Sequence, residues 1–304
     1  MIALYIILGF VIIVVIPHLL VSFLLFMRFY YRQNYEKSEK DFFENEDYKA
    51  YFELIKKGRI ELEKREHKEV KIKSFDKLDL YADYYPNKGN KIVLMVHGFK
   101  SIPNINFAYI SNIFYEKGYS LLIVDQRSHH RSEGKFITYG YKESKDVIAW
   151  VEYIKNDLNY RNITLYGISM GAASIALASP YLDVNYIVLD SCYNSKERLV
   201  EHLCPKNVLF RYLVLPFANM YARLFIGLKN KDCNVTNALV NNKNSLLFIH
   251  GDIDRITPMS FLEQNFEKAG GKKDIMVIAG APHSMPLLEG KEEAKIKLFN
   301  YLEK

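Results

Sequence analysis

The chain has 304 residues, 49% of them apolar and 25% charged, so it can bury a sizeable core and is neither disordered nor fibrous. A net charge of +6 with no basic–aromatic signature argues against a nucleic-acid partner. Three scattered cysteines (Cys192, Cys204, Cys233) without a C-x-x-C exclude a disulfide framework and fit a reducing compartment.

Met1 to Met27 contains no Asp, Glu, Lys or Arg and is dominated by Ile, Leu, Val and Phe. At 1.5 Å per residue that run is long enough to span a bilayer core, and its mid-run Pro17 is tolerated in a membrane helix. A cleaved signal peptide would carry basic residues before the apolar run and small residues at its end. Here Arg28 and Arg32 follow it, interleaved with Phe29, Tyr30 and Tyr31, aromatics suited to a membrane interface. Residues 1–27 therefore predict an uncleaved single-pass anchor, with the bulk of the chain on the cytoplasmic side.

Residues 28–68 alternate charges with aromatics at roughly helical spacing (Phe42, Phe43, Tyr48, Tyr51, Phe52), which predicts a connecting amphipathic helix. Two period-two runs, Val70–Lys73 and Leu78–Tyr85, flank a turn at Asp76-Lys77 and predict a β-hairpin. Strand-like runs then alternate with helical ones: Ile92–Val96, Ser120–Val124, Ile163–Tyr166, Tyr186–Leu189, Leu246–Ile249 and Asp274–Ile278, separated by helices near Ile105–Lys117, Lys142–Lys155, Met170–Ala178, Ser260–Ala269 and Lys291–Leu302. Such alternation predicts an α/β domain over 69–304, with a mostly parallel central sheet and helices on both faces. One connection breaks the rhythm. Residues 191–245 hold no clear strand, and a loop that long predicts an inserted helical lid. This insertion holds eight Lys or Arg against three Asp or Glu, nearly the whole cationic surplus. Two readings of its apolar residues stand side by side: resting on anionic lipid, or packing on the domain.

The chemistry concentrates where predicted strands end. Gly167-Ile168-Ser169-Met170-Gly171 follows the run Ile163–Tyr166 and precedes Ala172–Ala178, a run of small residues and good helix formers. A serine on such a strand-to-helix turn is pushed out over the sheet edge, and the helix N-terminus points free N–H groups at the reacting centre. A serine nucleophile needs a base. Among eight histidines, His283 alone lies in the loop between the last strand and last helix, able to reach Ser169 from the same edge. The base needs an acid to fix its tautomer. Asp254, in His250-Gly251-Asp252-Ile253-Asp254, is the candidate; Asp252 is expected to bond backbone in the turn, and Asp190 is the alternative acid. The N–H groups of Met170 and of Phe99, in Val96-His97-Gly98-Phe99-Lys100, are the expected oxyanion donors.

With those motifs in place (His97-Gly98-Phe99, Gly167–Gly171, His250–Asp254, Pro282-His283), the chain from about Val70 onward resembles a serine hydrolase of the α/β-hydrolase superfamily. It is similar to the bacterial membrane-anchored group related to esterases, lipases and prolyl-oligopeptidase-type domains. The order Ser169, Asp254, His283 is the one such a fold uses. Asp125–Gly134 resembles the family segment D-x-R-G-x-G-x-S, with Ser128 and His130 standing where glycine is usual, a departure that bears on the loop's shape. The adjacent His129 and His130 diverge and suggest no metal site. The resemblance implies an enzyme without cofactor or metal that acts on an ester or acyl substrate, lipid among the candidates. A peptidase, thioesterase or acyltransferase would use the same machinery. A binding protein without activity is the alternative from a different class.

Overall fold

The computed structural model describes residues 1–204 and 210–303. Every predicted strand forms: β1 (Lys68–Lys73), β2 (Asp79–Tyr85), β3 (Lys91–Val96), β4 (Tyr119–Val124), β5 (Asn162–Ile168), β6 (Tyr186–Asp190), β7 (Ser245–Gly251) and β8 (Lys273–Ile278). They make one sheet in the order β1-β2-β4-β3-β5-β6-β7-β8. The hairpin β1–β2 is antiparallel and β2 joins β4 antiparallel; every pairing from β4 to β8 is parallel.

The pleat divides the core. Ile92, Leu94 and Val96 of β3, with Leu246 and Phe248 of β7, face one side together with Trp150, Met170 and Ile175. Val93, Met95, Leu247 and Ile249 face the other side, with Phe114, Leu298 and Phe299. Continuous apolar runs with both faces covered are what a parallel sheet demands. Truncating a fully buried residue such as Leu94 to Ala costs about 2–5 kcal/mol. Chain order and sheet order reverse around β3: β4 lies on one side of it and β5 on the other. A crevice at the carboxyl ends of the strands follows from that switch.

Two predicted helices are interrupted. The expected single helix over 28–68 is instead Tyr35–Phe43, a 3₁₀ turn Glu46–Tyr51, and Phe52–Glu63. Asn34 and Asn45 set the starts, their side chains accepting the N–H groups of Lys37 and Asp47. The expected helix Ile105–Lys117 splits into Pro103–Asn106 and Ala108–Glu116, with Phe107 at φ −105°, ψ 5° between them. Asn106 Oδ1 accepts the Gly98 N–H at 2.9 Å, so the break aims a side chain at the loop after β3.

At the N-terminus, Ile2–Tyr30 is one 29-residue helix, long and apolar enough to cross a membrane. A π-helical stretch, Val11–Val15, precedes Pro17, whose missing N–H disturbs the α ladder. Its first half is exposed, whereas Ser22, Phe26 and Tyr30 are buried against the domain. The 191–245 insertion is helical where described: Lys196–Leu203, the π stretch Phe210–Val214, Leu215–Ile226, a 3₁₀ turn Asn230–Cys233, and Val235–Leu239. Val208 and Leu209 lie outside the described residues.

Candidate active site

Ser169 sits between β5 and the helix Met170–Ala178 with φ 54° and ψ −112°, a backbone conformation that costs on the order of 1–3 kcal/mol. Two glycines make the turn sterically feasible. A Cβ on Gly171 would lie 1.9 Å from the Val96 carbonyl oxygen, and one on Gly167 2.6 Å from the Ala172 nitrogen. The strained turn is pinned by the Ser169 N–H, which donates to the Asp190 carbonyl at 2.8 Å.

Ser169, His283 and Asp254 come from three separate strand ends and meet. The Ser169 hydroxyl donates to His283 Nε2 at 2.9 Å, and His283 Nδ1–H donates to Asp254 Oδ2 at 2.7 Å. Asp254 Oδ1 accepts the N–H groups of Ile256 and Thr257, each at 2.8 Å. Burial alone raises the Asp254 pKa, but His283, the Thr257 N–H and His250 outweigh it and hold the carboxyl below its usual range. Asp252 bonds backbone, as expected, but across to the Gly280 N–H rather than within its own turn.

The alternative acid, Asp190, makes no hydrogen bond to the imidazole, whose ring nitrogens meet Asp254 and Ser169. Its carboxylate accepts the Tyr166 hydroxyl at 2.7 Å and the Ser191 hydroxyl at 2.9 Å, and burial pushes its pKa up to about 6. Neither Phe99 N–H nor Met170 N–H has an acceptor among the described residues, whereas their neighbours are engaged. Gly98 N–H is held by Asn106 Oδ1, and Lys100 N–H donates to His129 Nε2 at 3.0 Å. Phe99 and Met170 line one cavity of about 410 Å³ together with Ser169 and His283.

The loop Asp125–Gly134 keeps glycine-like backbone at two positions that hold no glycine. Ser128 has φ 63° and His130 φ 40°. Local bonds offset the strain: Ser128 Oγ donates to the Phe136 carbonyl at 2.9 Å, and His130 Nδ1 lies 3.0 Å from Asp125 Oδ2. His129 and His130 do diverge, one toward Lys100 N–H and the other toward Asp125. Burial drives the His97 pKa down to about 4 and that of His129 to about 3, so both rings stay neutral and can accept. His97 Nε2 accepts the Gln126 N–H at 3.1 Å.

Two contributions escaped the sequence reading, that of Thr257 and that of the segment after the N-terminal helix. Thr257 donates its hydroxyl to Asp254 Oδ2 at 2.7 Å and lies 3.3 Å from His283 Nδ1. Its only sequence signal is its place three residues after the aspartate. Leu199, Val200 and Leu203 of the insertion line the cavity, and so do Arg28, Phe29 and Phe42 of the segment after the N-terminal helix. The aromatic spacing of that segment signalled packing but not its partner.

The family profile described as Hydrolase_4, serine aminopeptidase S33, matches residues 87–191. YqkD, an uncharacterised protein of Bacillus subtilis, is 25% identical over 225 residues, 72% of this chain and 73% of its own. The thiohydrolase aneE of Aspergillus aculeatus is 26% identical over 149 residues, 47% of this chain and 43% of its own. Among solved structures, the esterase Pf2001 of Pyrococcus furiosus superposes with a TM-score of 0.65 at 25% identity, covering 79% of this chain and 91% of its own. Est1E of Butyrivibrio proteoclasticus, solved with ferulic acid, shares the fold at a TM-score of 0.60 and 19% identity, covering 77% of this chain and 100% of its own.

Proposed function

We propose that this chain, a serine hydrolase of the α/β-hydrolase superfamily, is a membrane-anchored enzyme that cleaves carboxylic esters through Ser169, His283 and Asp254. The observation that carries this reading is the unbroken chain of two hydrogen bonds, 2.9 and 2.7 Å, from the Ser169 hydroxyl to the Asp254 carboxylate at the floor of a cavity.

In this account His283 Nε2 takes the Ser169 proton as Oγ attacks the ester carbonyl carbon. Asp254 keeps the proton on Nδ1, aims the ring, and stabilises the imidazolium. The carbonyl oxygen becomes an anion facing the free Met170 and Phe99 N–H groups, at the positive end of the helix Met170–Ala178. Collapse expels the alcohol, which takes the proton from His283 Nε2 and leaves an acyl group on Ser169. A water molecule, deprotonated by the same ring, releases the carboxylic acid and restores the serine. Among relatives, one is named an esterase and one a thiohydrolase, and an ester or a thioester fits the same steps.

The helix Ile2–Tyr30 serves as the anchor in this reading, and Arg28 with Arg32 supports a cytoplasmic domain. The insertion 191–245 acts as a lid in this reading, supported by Leu199 and Leu203 among the residues that line the cavity. The test is hydrolysis of p-nitrophenyl esters of increasing chain length by the full chain. Ser169→Ala is expected to lower kcat by about 10⁴-fold or more. Equal activity in that variant overturns the mechanism.

A further inference from the structure

The geometry points to a second role for the segment that follows the N-terminal helix: it is a wall of the substrate cavity, shaped for an anionic amphiphilic ester presented at a bilayer surface. This rests on the ester-hydrolase reading and adds the class of substrate to it.

The cavity holding Ser169 and His283 is closed on one side by Arg28, Phe29, Phe42 and Tyr48, all N-terminal to the α/β domain. The site is therefore incomplete without residues that continue directly from the apolar helix. Phe29 and Phe42 line that cavity together with Leu199 and Leu203 of the insertion, an apolar lining suited to an acyl chain.

The charge at its rim has one sign in excess. Arg28 and Lys100 line the cavity, and Lys100 Nζ donates to the Arg28 carbonyl oxygen at 2.5 Å, which holds the two residues side by side. Asp41, the carboxylate lining the cavity, is already bonded to Lys37 Nζ at 2.9 Å and to Gln33 Nε2 at 2.9 Å. Asp41 feels the Arg28 charge, yet among the described residues no carboxylate lies within 4 Å of Arg28. An anionic group on the substrate would supply the missing partner.

The surroundings place this rim at a lipid surface. The helix Leu215–Ile226 runs alongside the second half of the N-terminal helix. Phe217 packs edge-on to His18 with ring centroids 4.8 Å apart, Tyr221 packs on Phe23 at 5.4 Å, and Tyr221 donates its hydroxyl to the Leu19 carbonyl at 3.3 Å. Leu224 and Phe225 nevertheless remain 70% and 58% exposed. From His202 to Lys231 there is no acidic residue; Arg211 pairs with Glu201 at 3.4 Å, while Arg223, Lys229 and Lys231 supply positive charge. Apolar side chains beside a membrane-length helix, with an excess of cations, fit an anionic bilayer surface.

The experiment uses the full chain reconstituted in vesicles and compares three probes: 1-palmitoyl-lysophosphatidylglycerol (anionic), 1-palmitoyl-lysophosphatidylcholine (zwitterionic) and p-nitrophenyl butyrate. The expected result is a kcat/KM preference for the anionic over the zwitterionic lipid of about fivefold or more, which Arg28→Gln brings toward unity and Arg28→Lys retains. Raising the ionic strength narrows the same ratio in the unaltered protein. Equal rates on the two lipids, or a ratio untouched by Arg28→Gln, overturns the proposal while Ser169-dependent butyrate hydrolysis stands. Butyrate hydrolysis that survives Ser169→Ala instead removes the Ser169-based reading beneath it.

Discussion

The backbone N–H of Ser169 donates to the carbonyl oxygen of Asp190 at 2.8 Å, tying the strained turn to the end of the neighbouring strand β6. Strain at a reacting serine persists only where the surroundings hold it. Here the hold is a main-chain bond, while the Asp190 side chain bonds Tyr166 and Ser191 instead. The two aspartates near the site therefore have separable roles.

Asp254→Asn is expected to lower kcat by about 10³- to 10⁴-fold, because an amide in place of the carboxylate favours the wrong imidazole tautomer and no longer stabilises the imidazolium. Asp190→Asn is expected to cost less than about tenfold in kcat, since its carboxylate meets neither ring nitrogen of His283. Steady-state kinetics on p-nitrophenyl butyrate separates the two, and the reverse ranking assigns the acid to Asp190.

Stability against pH is predicted to respond in opposite senses to two buried groups. The folded-state pKa of His129 is lowered to about 3 from 6.5, so as pH falls below 6.5 the unfolded chain takes up a proton that the folded chain does not, and stability is lost. His129→Gln removes this loss, and its stability curve flattens by about 1.4 kcal/mol per pH unit between pH 6 and 4. Asp190 is raised from 3.8 to about 6, so its contribution is full below pH 3.8 and is lost as pH rises through 6. Asp190→Asn removes that loss, and its stability rises more steeply with pH over the same window. Urea midpoints across this pH range read both slopes.

Gly171→Ala is predicted to destabilise by about 3 kcal/mol or more, because its Cβ would meet the Val96 carbonyl oxygen at 1.9 Å and backbone cannot yield as a side chain does. At this chain length that corresponds to a fall in Tm of roughly 5 °C or more. The expected companion effect is loss of activity, since Met170 and Ser169 shift with the helix. An unchanged Tm contradicts the packing described for this turn.

The strands, and the convergence of Ser169, Asp254 and His283, were readable from local signals: apolar runs of strand length, two glycines around a serine, and histidine and aspartate in loops at the same sheet edge. What escaped depends on contacts between distant segments. The helix breaks after Asn106, whose side chain accepts the Gly98 N–H at 2.9 Å although the two residues lie eight apart in the chain. Asn45 likewise starts a new turn, yet only the fold explains why Tyr51 beyond it is buried and bonded to Glu289 Oε2 at 2.8 Å. Ser128 and His130 suggested an altered loop, but hydrogen bonds to Phe136 and Asp125 retain the left-handed backbone. The walls supplied by Phe29 and Phe42 were hidden because an amphipathic pattern records that a face is covered and not what covers it.

The most direct measurement is peptide mapping by mass spectrometry after the full chain is treated with a fluorophosphonate. The account predicts a single stoichiometric adduct on Ser169, with labelling slowed by orders of magnitude in His283→Ala. No adduct, or an adduct at another residue with Ser169 unmodified, contradicts it.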